Sequence, residues 1–270
     1  MGLVTHDMTP NIGTEVAAPR EILLGGSRAG ELRALLEARG VLVFRGLALT
    51  KDEQRVLAAT LGDVLAMGDE GIQPISLDKT KNATADYLRG SFYWHIDGAS
   101  DDIPTRASIL TAVTLSPEGG DTLFCNTYAA YDALSDDEKR RFDKLKVIHS
   151  LETSQYYVTP EPSYAELMRW RTYAPKVHPL VWTHRSGRKS LVLGMTASHI
   201  VDMPLDEGRG LLCRLRDEAT RPENIYTHKW TPGDTIIWDN TGVMHRVTPY
   251  AIDSGRMMHR TTLAGEEPLA

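Results

Sequence analysis

From Phe92 to Leu263 the chain is a succession of short β-rich runs separated by Gly, Pro and Ser turns. Ala107 to Leu115 is one run. Gly119-Gly120-Asp121 turns into Thr122 to Cys125. Val177 to His184 and Ser190 to Leu193 flank a turn at Ser186-Gly187, which predicts a hairpin. Ile225 to Trp230, Thr235 to Trp238, His245 to Pro249 and Arg256 to Leu263 follow, with a turn at Pro232-Gly233-Asp234. Many short strands joined by turns predict a barrel or jelly roll. Helical patterns fall at the N-terminus and in insertions rather than after each strand, which argues against a doubly wound parallel sheet.

The predicted helices carry their own start and stop signals. Arg28 to Arg39 has Leu32, Leu35 and Leu36 at helical spacing and stops at Gly40. The strand Val41-Leu42-Val43-Phe44 follows. Thr50 and Glu53 form a capping box for a helix that ends near Gly62. Ser135 and Glu138 open a charged helix running to about Leu145, and Leu205 to Ala219 is amphipathic. Two stretches, 68–93 and 150–175, show no period and predict active-site loops. A chain of 270 residues is long enough to bury a sizeable core. The expected organisation is one catalytic domain, 1–270, with helical and strand support over 1–65 and a β core with insertions over 92–263.

The net charge of −6 gives no positive field for nucleic acid or anionic lipid. Two cysteines, Cys125 and Cys213, make no disulfide framework and are expected as buried small apolar residues. No apolar run is long enough to span a membrane, and the first residues have no signal-peptide pattern. A cytoplasmic protein is expected, without nucleic-acid or membrane partners. Aromatic loops suggest a homodimer or homotetramer.

His95 and Asp97 stand two apart in Ser91-Phe92-Tyr93-Trp94-His95-Ile96-Asp97-Gly98, so a strand would point both to one face. His245 lies on a later predicted strand and could complete a facial set of two imidazoles and one carboxylate. That set occurs in non-heme Fe(II) oxygenases and leaves coordination positions open. Imidazole also suits Zn, Cu and Ni, so these ligands alone do not choose the metal. His-x-Asp is also common without a metal, with the histidine half-buried on a strand and the acid opening a turn.

Two arginines sharpen the expectation. By period two, Arg256, Met258 and Arg260 share one face of a strand. An outward face would be ordinary solvated charge. An inward one would bury two cations, each needing a partner. The nearby sequence offers few carboxylates, so two bound anions would satisfy them, each in a bidentate fork.

At this point the chain resembles the Fe(II)/2-oxoglutarate-dependent dioxygenases of the taurine dioxygenase and 2,4-dichlorophenoxyacetate dioxygenase group. The resemblance rests on Leu42 to Gly46, Trp94-His95-Ile96-Asp97, Gly119 to Phe124, Asn126 to Tyr131, Ala197 to Ile200, Trp238-Asp239-Asn240 with His245-Arg246, and Met258 to Thr262. It implies a double-stranded β-helix, or jelly roll, mainly β with helical decoration. It implies that His95, Asp97 and His245 bind Fe(II), with 2-oxoglutarate and O2 as co-substrates. Arg256 and Thr122 would hold the far carboxylate of 2-oxoglutarate. Arg260 would bind an anionic group of the primary substrate, with Ser91 and Trp94 beside it, and Trp238 would stand near the iron. Ser91 falls where taurine-type members carry an asparagine, and Ala197 to Ile200 is closer to the aryloxyalkanoate and alkylsulfate branch. The implied reaction hydroxylates a small anionic carboxylate, sulfate ester or sulfonate, with C–O or C–S cleavage where the new hydroxyl makes the carbon unstable.

Three other readings stay open on the residues alone. One is hydroxylation of an amino acid or related carboxylate without cleavage. Another is a Zn or Mn β-barrel hydrolase or isomerase, and the last is a non-catalytic binding protein. Gly25 to Gly30 lacks the Gly-Lys-Ser/Thr end of a phosphate loop. His178, His184, His199 and His228 have no ligand partner at close spacing and are expected to be structural or surface residues. Asp136 to Arg141 is expected as a solvated helix face, and Arg185 to Lys189 as an exposed hairpin tip.

Overall fold

Over residues 4–149, short strands form at Val4–Asp7 (β1), Thr14–Ala17 (β2), Val41–Phe44 (β3), Gln73–Ile75 (β4), Ala107–Thr114 (β5), Thr122–Asn126 (β6) and Lys146–His149 (β7). The second half adds Lys176–Pro179 (β8), Val181–Thr183 (β9), Lys189–Leu191 (β10), Ala197–Ile200 (β11), Ile225–His228 (β12), Thr235–Asp239 (β13), Val243–Val247 (β14) and Met257–Leu263 (β15). These come from a computed structural model that describes residues 2–82 and 84–269. The major sheet runs β1-β2-β3-β13-β5-β15-β4, and β12-β6-β14 form the minor sheet opposite it. The pair makes a jelly roll. Among the described residues no helix is long and apolar enough to cross a membrane.

The period-two alternation explains why whole strands of the major sheet are buried. Val41, Val43, Leu110, Ala112, Ile236, Trp238 and Met258 point inward, where they meet Phe124, Tyr226 and Val243 of the minor sheet. Leu42, Phe44, Ile109 and Ile237 point outward and pack on Leu32, Leu36, Leu57 and Leu61 of the helices Ala29–Arg39 and Lys51–Leu61. With helices covering its outer face, the sheet is apolar on both sides. A third cluster covers the outer face of the minor sheet, where Cys125 and Met244 meet Leu212 and Leu215 of the helix Leu205–Ala219.

The predicted helix signals hold. Gly40 closes its helix at φ 72°, and both capping boxes form, at Thr50 with Glu53 and at Ser135 with Glu138. The expected loops do not hold throughout. Within 68–93, β4 pairs with β15, and short helical segments run Ala85–Leu88 and Arg89–Phe92. Within 150–175, helices form at Leu151–Val158 and Tyr164–Trp170, each opened by a serine whose side chain accepts from the backbone three residues on. The hairpin forms only over β9 and β10; the preceding segment β8 pairs instead with β7. Cys125 is buried but Cys213 is exposed, against expectation. Arg188 is no free tip residue: its guanidinium lies 3.8 Å over the Tyr128 ring.

Candidate active site

His95 and Asp97 are not on a regular strand. They occupy a short extended segment held to β14 by a single bridge, with His95 N donating to His245 O at 3.0 Å and His245 N donating to His95 O at 2.9 Å. An extended backbone still alternates its side chains, so the expected shared face is kept. The bridge also sets His95 opposite His245. Gly194, at φ 114°, lies so close that a Cβ there would stand 3.0 Å from His95 Cα. His95 Nδ1 is 2.9 Å from the Tyr93 carbonyl, which can only accept. Nδ1 therefore carries the proton, and Nε2 offers its lone pair to the site.

Asp97 Oδ1 stands 3.8 Å from His95 Nε2, and Oδ2 stands 3.9 Å from His245 Nε2. One donor atom from each residue lies within 4.8 Å of the others. Ser108 Oγ donates to Asp97 Oδ2 at 3.1 Å, and Asn240 donates to Ser108 in turn at 3.0 Å. Burial raises the Asp97 pKa, but Arg260 and the two imidazoles outweigh it and hold the carboxyl well below its usual range. Burial, and then His95, push His245 well below the ordinary histidine value, so its imidazole is neutral. A neutral imidazole and an ionised carboxylate are the forms that bind a metal. Two imidazoles and one carboxylate converging from one side fit a divalent first-row ion with positions left open, the pattern of non-heme iron.

The arginines come inward, but not by the expected geometry. Arg256 precedes β15, and a register shift separates Met257 from Met258. Both guanidiniums nonetheless border the pocket that also touches His95, His245, Thr122 and Trp238. Arg256 is 4% exposed. It makes only long contacts, 3.5 Å to Tyr250 Oη and 3.4 Å to the Gly120 carbonyl, and lies 4.7 Å over the Tyr250 ring. No carboxylate among the described residues pairs with it, and burial lowers its pKa. A buried unpaired cation is costly, so an incoming carboxylate relieves it. Thr122 is prepared for the same anion. Trp230 Nε1 donates to Thr122 Oγ1 at 3.0 Å, leaving the hydroxyl proton free to donate into the pocket.

Arg260 differs. Nη1 lies 3.4 Å from Asp97 Oδ2, and Nη2 donates to Gln73 Oε1 at 2.8 Å. Asp97 is thus the nearby carboxylate that the sequence around the arginines did not reveal. Trp238 packs 4.8 Å from the His245 ring, with its buried Nε1 unpartnered. Ser91 borders the pocket, but its hydroxyl donates to the Leu88 carbonyl at 2.6 Å. Trp94 stands outside the pocket. As the neighbour of His95 in extended backbone it points the other way, into the cluster with Ile96 and Leu193, under the Arg246 guanidinium at 5.0 Å. Gln73, Ser108 and Tyr250 were missed. The signal for Gln73 was its register opposite Arg260, which depends on a strand hidden in a polar stretch.

The histidines set aside are structural, as expected, where they are buried. His228 pairs with Asp234 at 3.1 Å and His184 with Glu267 at 2.7 Å.

The model of the taurine catabolism dioxygenase TauD, TfdA family matches residues 5–262. An alpha-ketoglutarate-dependent 2,4-dichlorophenoxyacetate dioxygenase of Cupriavidus pinatubonensis is 35% identical, over 97% of this chain and 98% of that one. An alpha-ketoglutarate-dependent sulfate ester dioxygenase of Pseudomonas putida is 31% identical, over 99% and 91%. The solved structure of AAD-2 in complex with Mn(II) and N-oxalylglycine superposes with a TM-score of 0.86 at 33% identity, covering all of both chains.

Proposed function

Because the chain belongs to the TauD, TfdA family, we propose that its two inward arginines hold two different anions beside one ferrous ion. The protein is a 2-oxoglutarate-dependent dioxygenase, an oxidoreductase that uses Fe(II), 2-oxoglutarate and O2. His95, Asp97 and His245 hold the iron, which when bound supplies the oxidising chemistry that couples 2-oxoglutarate decarboxylation to attack on a C–H bond. Arg256 takes the far carboxylate of 2-oxoglutarate in a bidentate fork, and the Thr122 hydroxyl donates to the same group. Arg260 takes the anionic end of the primary substrate. Trp238 packs the His245 ring in place. Ser91 has spent its proton on Leu88 and serves as pocket wall rather than anion donor.

Formal charge narrows the substrate. Arg246 borders the pocket as well, so three arginines and a ferrous ion bring five positive charges and Asp97 removes one, with both imidazoles neutral. The dianion 2-oxoglutarate leaves the site positive, which favours an anionic substrate. Ile75, Leu88, Leu110 and Val247 border the same pocket and suit an apolar tail. The relatives are named for 2,4-dichlorophenoxyacetate and for a sulfate ester, both monoanions with organic tails. The substrate class is therefore an aryloxyalkanoate or alkyl sulfate. Hydroxylation of the carbon beside its ether or ester oxygen gives a product that collapses to a carbonyl compound and the released alcohol, phenol or sulfate.

The observation that carries this reading is Arg256, buried, without a carboxylate among the described residues, and bordering the same pocket as the two histidines. The test is succinate release from the Fe(II) protein with aryloxyalkanoates, alkyl sulfates, sulfonates and amino acids offered in parallel. The first two classes are expected to stimulate release. Stimulation by amino acids alone would replace this reading with that of an amino-acid hydroxylase.

A further inference from the structure

Arg260 has a partner whose chemical type matters more than its presence. Gln73 lies directly opposite Arg260 in the β4–β15 pairing, so their side chains share one face. Gln73 Oε1 accepts from Arg260 Nη2 at 2.8 Å. Ile75, two residues on and on the same face, borders the pocket. The Arg260 Nε is buried without a partner, so the guanidinium is held at its tip by two groups, Gln73 and Asp97. Of these, Asp97 is a proposed iron ligand, and its charge belongs to the metal once that is bound. Gln73 is then the side-chain partner that fixes where the guanidinium points.

We propose that Gln73 is a positioning residue that makes the pocket selective for an anion over a neutral analogue, because it anchors Arg260 with a neutral amide. A glutamate at 73 would hold Arg260 at least as firmly, since a charge-assisted bond is the stronger kind. It would also cancel the Arg260 charge that meets the substrate's anionic end. Glutamine gives orientation and leaves the charge unspent. This rests on the reading above, in which Arg260 meets the substrate's anionic end.

The experiment compares Gln73→Glu and Gln73→Leu with the unaltered protein, each loaded with Mn(II) and N-oxalylglycine so that no turnover occurs. Calorimetry reads the binding of phenoxyacetate, a monoanion, and of its neutral amide, phenoxyacetamide. The unaltered protein is expected to favour the anion. Gln73→Glu should weaken phenoxyacetate by about tenfold or more, the loss of one charge-assisted contact, and leave phenoxyacetamide unchanged or tighter. Gln73→Leu should weaken the anion less and keep the preference for it, because the charge survives while its aim loosens. A purely structural role would weaken both probes alike in Gln73→Glu, and that result overturns the proposal. An unchanged anion preference in Gln73→Glu overturns it while the reading of an anionic substrate stands. No anion preference in the unaltered protein overturns both.

Discussion

Arg256 and Arg260 sit four residues apart and border one pocket, yet their surroundings assign them separate work. Arg256 has only a tyrosine hydroxyl and a carbonyl at the limit of hydrogen bonding. Arg260 is already tied to Gln73 and Asp97. Replacing either by alanine should therefore give opposite kinetic patterns. Arg256→Ala should raise KM for 2-oxoglutarate, and Arg260→Ala should raise KM for the primary substrate while uncoupled 2-oxoglutarate consumption stays measurable. Each loss is about 1.5–3 kcal/mol, or roughly 10-fold to 150-fold. Steady-state kinetics with each substrate varied in turn check this; equal effects of both variants on both constants would refute the division. The pair was legible in the sequence because both residues are charged on a predicted β segment. That they reach one pocket despite a register shift was not legible, since nothing in Gly255-Arg256-Met257-Met258 marks the irregularity. Trp94 shows the reverse case. Alternation places it on the face opposite His95, so the sequence already argued against its contact with substrate; a motif resemblance drew it in.

At the scale of elements, the segments without a period were the ones misjudged. Tyr164–Trp170 is too short to show helical periodicity, and the Pro residues before it suggested irregular chain. Its start signal was nevertheless present. Ser163 and Glu166 form a capping box, with Glu166 Oε2 accepting from Ser163 N at 2.8 Å and Glu166 N donating to Ser163 Oγ at 3.3 Å. The helix is anchored by Trp170, which is buried and meets Tyr156 edge-on at 5.7 Å. With most of its surface in water, the helix depends on its cap. Ser163→Ala should cost about 1 kcal/mol locally. Hydrogen exchange should then quicken over 164–170 with a much smaller shift in the global denaturation midpoint. Unchanged exchange in that stretch would show that Trp170, not the cap, sets its stability. The β4 strand escaped notice for a related reason. Three residues, Gln73-Pro74-Ile75, are too few for alternation to register, and a proline is tolerated there because the strand lies at the sheet edge.

For the molecule as a whole, the jelly roll was legible because its strands are separated by turn residues. What the sequence hid is how many histidines the fold buries in the neutral form. Burial pushes His149 down to about 3, and burial with the Arg45 charge pushes His228 down to about 4. His178, 5.7 Å from His149, is lowered too, again mainly by burial. The unfolded chain titrates near 6.5. Above that pH neither state is protonated and these residues cost nothing. Below it the unfolded chain takes up protons that the folded one refuses, so stability falls as pH drops from about 6.5 towards the folded values, and falls no further beneath them. At pH 5 the loss is about 2 kcal/mol for each of His149 and His228. Asp97 contributes in a separate window, because a depressed carboxylate loses its stabilisation only as pH falls below its ordinary value near 3.8. Urea denaturation of the metal-free protein should show a midpoint that declines between pH 7 and pH 5. His245 shares in that decline, so His149→Phe isolates one term: its pH slope should be shallower by about 2 kcal/mol over this range, whatever its stability at pH 7. An identical slope in the variant would mean that His149 takes a proton within the folded protein, and that the β7 strand around it opens to water.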